Sequence, residues 1–72
     1  MVQPHERVAA EVRAELARQR ISQTQLAERL NISQAGISRR LSGETPFEIN
    51  ELVAIAEFLC VPVARFLPEV AA

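Results

Sequence analysis

Gln34, Ala35, Ser38 and Arg39 recur at the spacing that sets them on one face of a helix, and together they can read the edge of a base pair. A glutamine amide holds a donor beside an acceptor, which matches the pair of groups that adenine presents in the major groove. Ala35 and Ser38 are small, and Arg39, one turn deeper, can reach a guanine edge or a phosphate. A second set suits the sugar-phosphate backbone. Gln23 and Thr24 stand at the start of the preceding helix, where N–H groups without intrahelical partners attract anions, and Ser33, Arg40 and Ser42 add further donors. Gln34, Ala35, Ser38 and Arg39 are therefore the base-contacting candidates, and Gln23, Thr24, Ser33, Arg40 and Ser42 the phosphate-contacting ones. Each also has a capping or surface role that needs no ligand. The partner this chemistry points to is double-stranded DNA.

Two helices must hold these side chains, and residues 22–42 carry start signals for both. Ser22 is an N-cap, Gln25 three residues on completes a capping box, and Ile21 and Leu26 form the hydrophobic staple. Ser33 repeats the pattern with Ile32 and Ile37, although Gly36 stands where the box wants Glu or Gln. Between them Leu30-Asn31-Ile32 turns sharply, Asn being the residue after glycine that best tolerates a left-handed C-cap. Leu26, Ala27 and Leu30 of the first helix face Ile37 and Leu41 of the second. Ala27 is small enough to let the second helix approach, and Gly36 is expected to serve the same closeness from the other side. The layout is a helix-turn-helix whose second helix, about residues 34–42, would lie in the major groove.

These residues resemble the helix-turn-helix of the lambda-repressor-like (Cro and Xre type) family of DNA-binding domains over about residues 8–67. The likeness rests on Gln23, Ala27, Asn31, Ile32, Ile37, Gly43 after the second helix, and the stretch LVAIAEFLCV, similar to the family's fourth helix. It implies an all-α, compact five-helix domain and a transcriptional regulator, a bacterial or phage repressor that occupies an operator. Three positions depart from the family: Arg40, usually apolar; Leu41, where many members are acidic; and Cys60, where glycine is common. Leu41 is then expected to take the core contact, freeing Arg40 for solvent or phosphate.

Seventy-two residues make one domain, with its core over about residues 5–67, near the lower limit at which a core holds without disulfides or metal. A single cysteine excludes an internal disulfide, no apolar run is long enough to cross a bilayer, and the first twenty residues are charged rather than signal-like, so a cytoplasmic protein is expected. Lys, Asp, Trp and Tyr are absent while Arg, Glu and Ala abound, a bias that hints at a GC-rich coding sequence such as that of a bacterium or its phage. A net charge of −1 argues against nucleic acid, but its distribution does not. Residues 18–43 hold five arginines against Glu28, and residues 44–72 hold Arg65 against five glutamates.

Around the motif, Pro4 opens a first helix with Val8, Val12 and Leu16 at every fourth position and Ala9 and Ala17 beside them. Thr45-Pro46 forces an extended connection that Phe47 and Ile49 can tuck onto the core. A fourth helix capped by Asn50 buries Leu52, Ile55, Ala56 and Leu59, and Pro62 starts a short fifth helix ending near Leu67. Phe58, off that stripe, with Val63, Leu67 and Val70, offers a possible two-fold contact between copies; the alternative is that Phe58 and Leu67 close this domain's own core. His5 stands alone, so no metal is expected, and Cys60 reads as a small buried hydrophobe. No nucleophile–base pair, carboxylate dyad or glycine-rich phosphate loop is present, so neither catalysis, cofactor nor small-molecule ligand is expected. The competing reading is a protein-interaction module, antitoxin-like or scaffold, that turns the same corner toward a protein.

Overall fold

Pro4 supplies the preset first turn of α1 (Pro4–Gln19), and the Glu6 carboxylate accepts the Gln3 N–H at 2.8 Å. The computed structural model describes residues 3–67, all-α with no strand among them: α1 is followed by α2 (Gln23–Leu30), α3 (Gln34–Leu41), α4 (Ile49–Leu59) and a 3-10 turn, Val63–Arg65. The expected fifth helix is thus only that turn, because Pro62 precedes three residues and the chain leaves helical geometry before Leu67.

Three helices end alike. Arg20, Asn31 and Cys60 adopt φ of 58°, 56° and 57°, and the N–H of the next residue, Ile21, Ile32 or Val61, returns to a carbonyl five residues back at 2.9–3.0 Å. Each of those three following residues packs on the core, so every ending delivers an apolar side chain inward. The left-handed ending also corrects the reading of Cys60, which is exposed because its side chain turns outward at the cap.

Val8, Val12 and Leu16 of α1, Leu26 and Ala27 of α2, Ile37 and Leu41 of α3, and Leu52, Ile55, Ala56 and Leu59 of α4 form one core, while Ala17 is exposed. Phe66, at 0% exposure the largest wholly buried side chain, closes it from beyond the 3-10 turn. Burying such a side chain contributes about 1.5–3 kcal/mol. Leu67 is 42% exposed and does not share that role, whereas Phe58 and Val63 are half-buried against the core. Val70 lies outside the described residues. Phe47 packs on the core as expected, but Ile49 is 60% exposed. Glu48, not Asn50, caps α4: Glu51 accepts the Glu48 N–H at 2.9 Å, which starts the helix before Asn50 and leaves Ile49 on its outer side.

Glu15 ties α1 to the 3-10 turn. Buried on α1, it accepts from Arg18 (2.8 Å), Gln19 (3.0 Å) and Arg65 (3.1 Å), and Gln19 also donates to the Leu59 carbonyl at 2.8 Å. The hydrogen bond from Gln19, then that from Arg65, holds its carboxyl below the usual glutamate range, against burial, which pushes it up; Arg18 adds to the lowering.

Candidate nucleic-acid interface

The corner of the motif is built from its caps. Ser22 accepts the Gln25 N–H at 3.1 Å while Gln25 accepts the Ser22 N–H at 2.8 Å, a complete box, and Ser33 accepts the Gly36 N–H at 3.0 Å. Asn31 turns the chain between them with φ 56° and ψ 43°. With its two starts and its turn so defined, α3 packs on α2 and α1 through Ile37 and Leu41.

That seating decides which side chains remain outside. Gln34, Ala35, Ser38 and Arg39 are all exposed on α3, and Gly36, Ile37 and Leu41 are buried behind them. Two grooves flank the exposed face. One, about 380 Å³, runs between α2 and the start of α3 and is lined by Thr24, Glu28, Ser33 and Gln34. The other, about 410 Å³, lies toward the end of α3 and brings Gln23, Ser38 and Ser42 together with Arg13 of α1. The residues singled out on α2 and α3, Arg40 excepted, are thus exposed on α3 or line one of the two grooves beside it. Their free hydrogen-bonding capacity differs. Ser33 uses a lone pair for the cap and keeps its proton, whereas Ser42 already donates to the Arg39 carbonyl at 2.9 Å.

Arg40 departs from its expected freedom. Its Nε donates to Glu51 at 3.0 Å, its guanidinium also donates to the Gly36 carbonyl at 3.0 Å, and its side chain is only 19% exposed. The close neighbours of Gly36 are accordingly different from those expected. A Cβ there would sit 2.8 Å from Cγ2 of Ile32 and 3.2 Å from the Arg40 guanidinium, so the missing side chain makes room for the turn and for Arg40 rather than for α2.

The run of arginines in residues 18–43 is likewise not one cationic face. Arg18 pairs with Glu15, Arg40 with Glu51, and the Arg29 guanidinium lies 5.3 Å from the centre of the Phe58 ring, a cation–π contact between α2 and α4. Arg39 has no carboxylate within ion-pair distance among the described residues. Arg13, unremarked in the sequence, supplies a cation from outside the motif. Its guanidinium donates to the Leu41 carbonyl at the end of α3, which holds it at the groove beside Gln23. Arg13 sits on an ordinary polar face of α1, and only the packing of α1 against α3 brings it there.

Among the described residues no group of His, Cys, Asp or Glu could hold a metal ion, and no helix is long and apolar enough to cross a membrane. No curated protein matches the sequence. Two solved structures share the fold: the clp gene regulator ClgR from C. glutamicum, with a TM-score of 0.84 and 21% identity over 92% of this chain and 86% of that one, and the DNA-binding domain of BldD, with a TM-score of 0.76 and 22% identity over 90% and 94%. The profile of a family described as helix-turn-helix matches residues 12–66, from the middle of α1 to Phe66. With that match over most of its length and the capped corner at its centre, the chain belongs to the Cro/C1-type, lambda-repressor-like helix-turn-helix family of DNA-binding domains.

Proposed function

We propose that this chain is a sequence-specific, double-stranded-DNA-binding transcriptional regulator, a bacterial or phage repressor acting in the cytoplasm, that lays α3 in the major groove of an operator. The observation that carries this reading is the exposed face of α3, where Gln34, Ala35, Ser38 and Arg39 stand outward from a helix whose opposite side is buried. Gln34 reads adenine, Arg39 reaches a base edge deeper in the groove, and the two small residues between them permit close approach. Phosphates on either side meet Thr24 and Ser33 in one groove and Gln23 and Arg13 in the other, with the first turn of α2 contributing its N–H groups. Arg40, engaged with Glu51, acts behind this surface rather than on it, and Ser42 holds the end of α3 through Arg39.

A second copy would join through Phe58, Val63 and Leu67, of which Leu67 is the most exposed. Such a dimer sets two recognition helices about 34 Å apart and requires a near-palindromic operator. Selection of bound duplexes from a random pool, followed by sedimentation of the protein with and without the selected site, tests both parts. Gln34→Ala should lose about 1–3 kcal/mol on the selected site and little on unrelated duplex. Equal losses on both would remove Gln34 from base reading; a pool that yields no preferred sequence would favour the protein-interaction reading; and a monomer on an asymmetric site would remove the dimer.

A further inference from the structure

The Arg40 guanidinium, carried by α3 itself, is held at two points. One is the Gly36 carbonyl in the first turn of α3, and the other is Oε1 of Glu51 in the first turn of α4, each at 3.0 Å. The same Glu51 oxygen accepts the Glu48 N–H at 2.9 Å, so one carboxylate both starts α4 and holds Arg40. The extensive helix contacts are those of α3 with α1 and α2, and of α4 with α1, α2 and the 3-10 turn. The bond from Arg40 to Glu51 is the one side-chain hydrogen bond joining α3 to α4 among the described residues. A planar guanidinium held at two points constrains orientation as well as distance, and both partners are mostly withdrawn from solvent, at 19% and 16% exposure, where salt screens them little.

We infer that Arg40 and Glu51 are positioning residues for DNA recognition: their ion pair fixes the roll of α3 on the body of the domain, and so the direction in which Gln34 and Arg39 present themselves, without either partner touching a base. The inference rests on the DNA-reading assignment above. Geometry supplies the lever, since Arg40 belongs to the helix that reads and the Gly36 carbonyl steadies its guanidinium against that helix, so the hold of Glu51 is passed directly to α3. A small rotation of α3 moves the tip of an arginine much farther than it moves the helix axis, and base contacts depend on alignment of both donor and acceptor. Gly36 belongs to the same device, because a Cβ 3.2 Å from the guanidinium would press on it.

The alternative role for Arg40 is a phosphate contact made when DNA draws it from Glu51, and the two roles give opposite results. The whole chain, as parent, Arg40→Met, Glu51→Gln and the double variant, would be titrated with the duplex the parent selects and with an unrelated duplex at several salt concentrations, with thermal unfolding followed in parallel. Glutamine at position 51 keeps an oxygen for the Glu48 N–H, and with it the start of α4, but lacks the charge that pairs with Arg40, so this variant weakens the ion pair even if Arg40→Met proves too unstable to use. Each single variant is expected to lower the ratio of the two affinities about tenfold, with the double variant no worse than either single one. The dependence on salt should match the parent on both duplexes. Unchanged ratios would overturn the proposal. So would an Arg40→Met protein weakened alike on both duplexes, with its salt slope reduced by about 0.9, beside a Glu51→Gln protein that binds both more tightly, the signature of a phosphate contact. The free proteins give a reading independent of DNA: amide chemical shifts over residues 34–39 should move in the same sense in both single variants. Shifts that stay in place refute the seating of α3 by this pair even if the variants bind differently. A parent without sequence preference refutes the functional assignment and, with it, the role in recognition.

Discussion

Gly36→Ala sets two effects of opposite sign against each other. Replacing glycine by alanine in a helix stabilises it by about 0.5–1 kcal/mol through lost freedom of the unfolded chain. The new Cβ, however, lies 2.8 Å from Cγ2 of Ile32, at least 0.6 Å short of the 3.4 Å at which ordinary contact begins. Ile32 cannot simply swing aside, because its branched Cβ stiffens χ1 and the side chain is half-buried on the core. The Arg40 guanidinium, 3.2 Å away, is mobile, but its retreat gives up the Gly36 carbonyl and loosens Glu51. Overpacking of this kind costs about 1–3 kcal/mol, so the clash prevails and the net destabilisation is about 1 kcal/mol. In a domain of this size that lowers the melting temperature by about 4–8 °C, measured by thermal unfolding with circular dichroism. An alanine protein that melts above the parent would mean that helix propensity acts alone and that the space over Gly36 is not needed. Leucine at the same position has no conformation that spares both neighbours and should melt lower still.

Arg13→Ala should weaken binding to selected and unrelated duplex alike and reduce the salt slope by about 0.9, with base preference unchanged in a repeated selection; a changed preference would show that Arg13 seats α3 through Leu41 rather than meeting a phosphate. Glu15 predicts a loss of stability on the acid side. Its folded-state pKa lies below the unfolded value, so its contribution is fully present above the ordinary glutamate value of about 4.3 and is lost as pH falls through the lowered one. Urea unfolding of Glu15→Gln across that range should show a shallower acid decline than the parent, and an identical decline would place the acid sensitivity elsewhere.

What was legible in the sequence divides by the range of the interaction that produces it. Ser22 with Gln25, Ser33, and Asn31 declare their roles within four residues, since a cap or a left-handed turn is decided by the few dihedrals around it, and all three stand as read. The start of α4 is equally local but ambiguous. Asn50 is the better N-cap by propensity, yet Glu48 takes the place because Glu51 reaches back to its N–H. Cys60 could have been placed from its position after the last apolar turn of α4, because the next residue, Val61, is the apolar partner that such an ending buries. Phe66 stands seven residues after Leu59, a helical spacing, but the left-handed Cys60 and Pro62 end the helix between them, so spacing alone does not mark it as core. Arg13, Arg40 and Glu15 are the other extreme. Their partners Leu41, Glu51 and Arg65 lie on separate elements, and no spacing along the chain marks which arginine will be drawn inward and which left for a ligand. The charge pattern was therefore the least reliable guide to the surface. It correctly set arginines around the motif, but packing assigns Arg18, Arg29 and Arg40 to partners within the protein, and Arg13, from a helix outside the motif, supplies a cation beside the exposed face of α3.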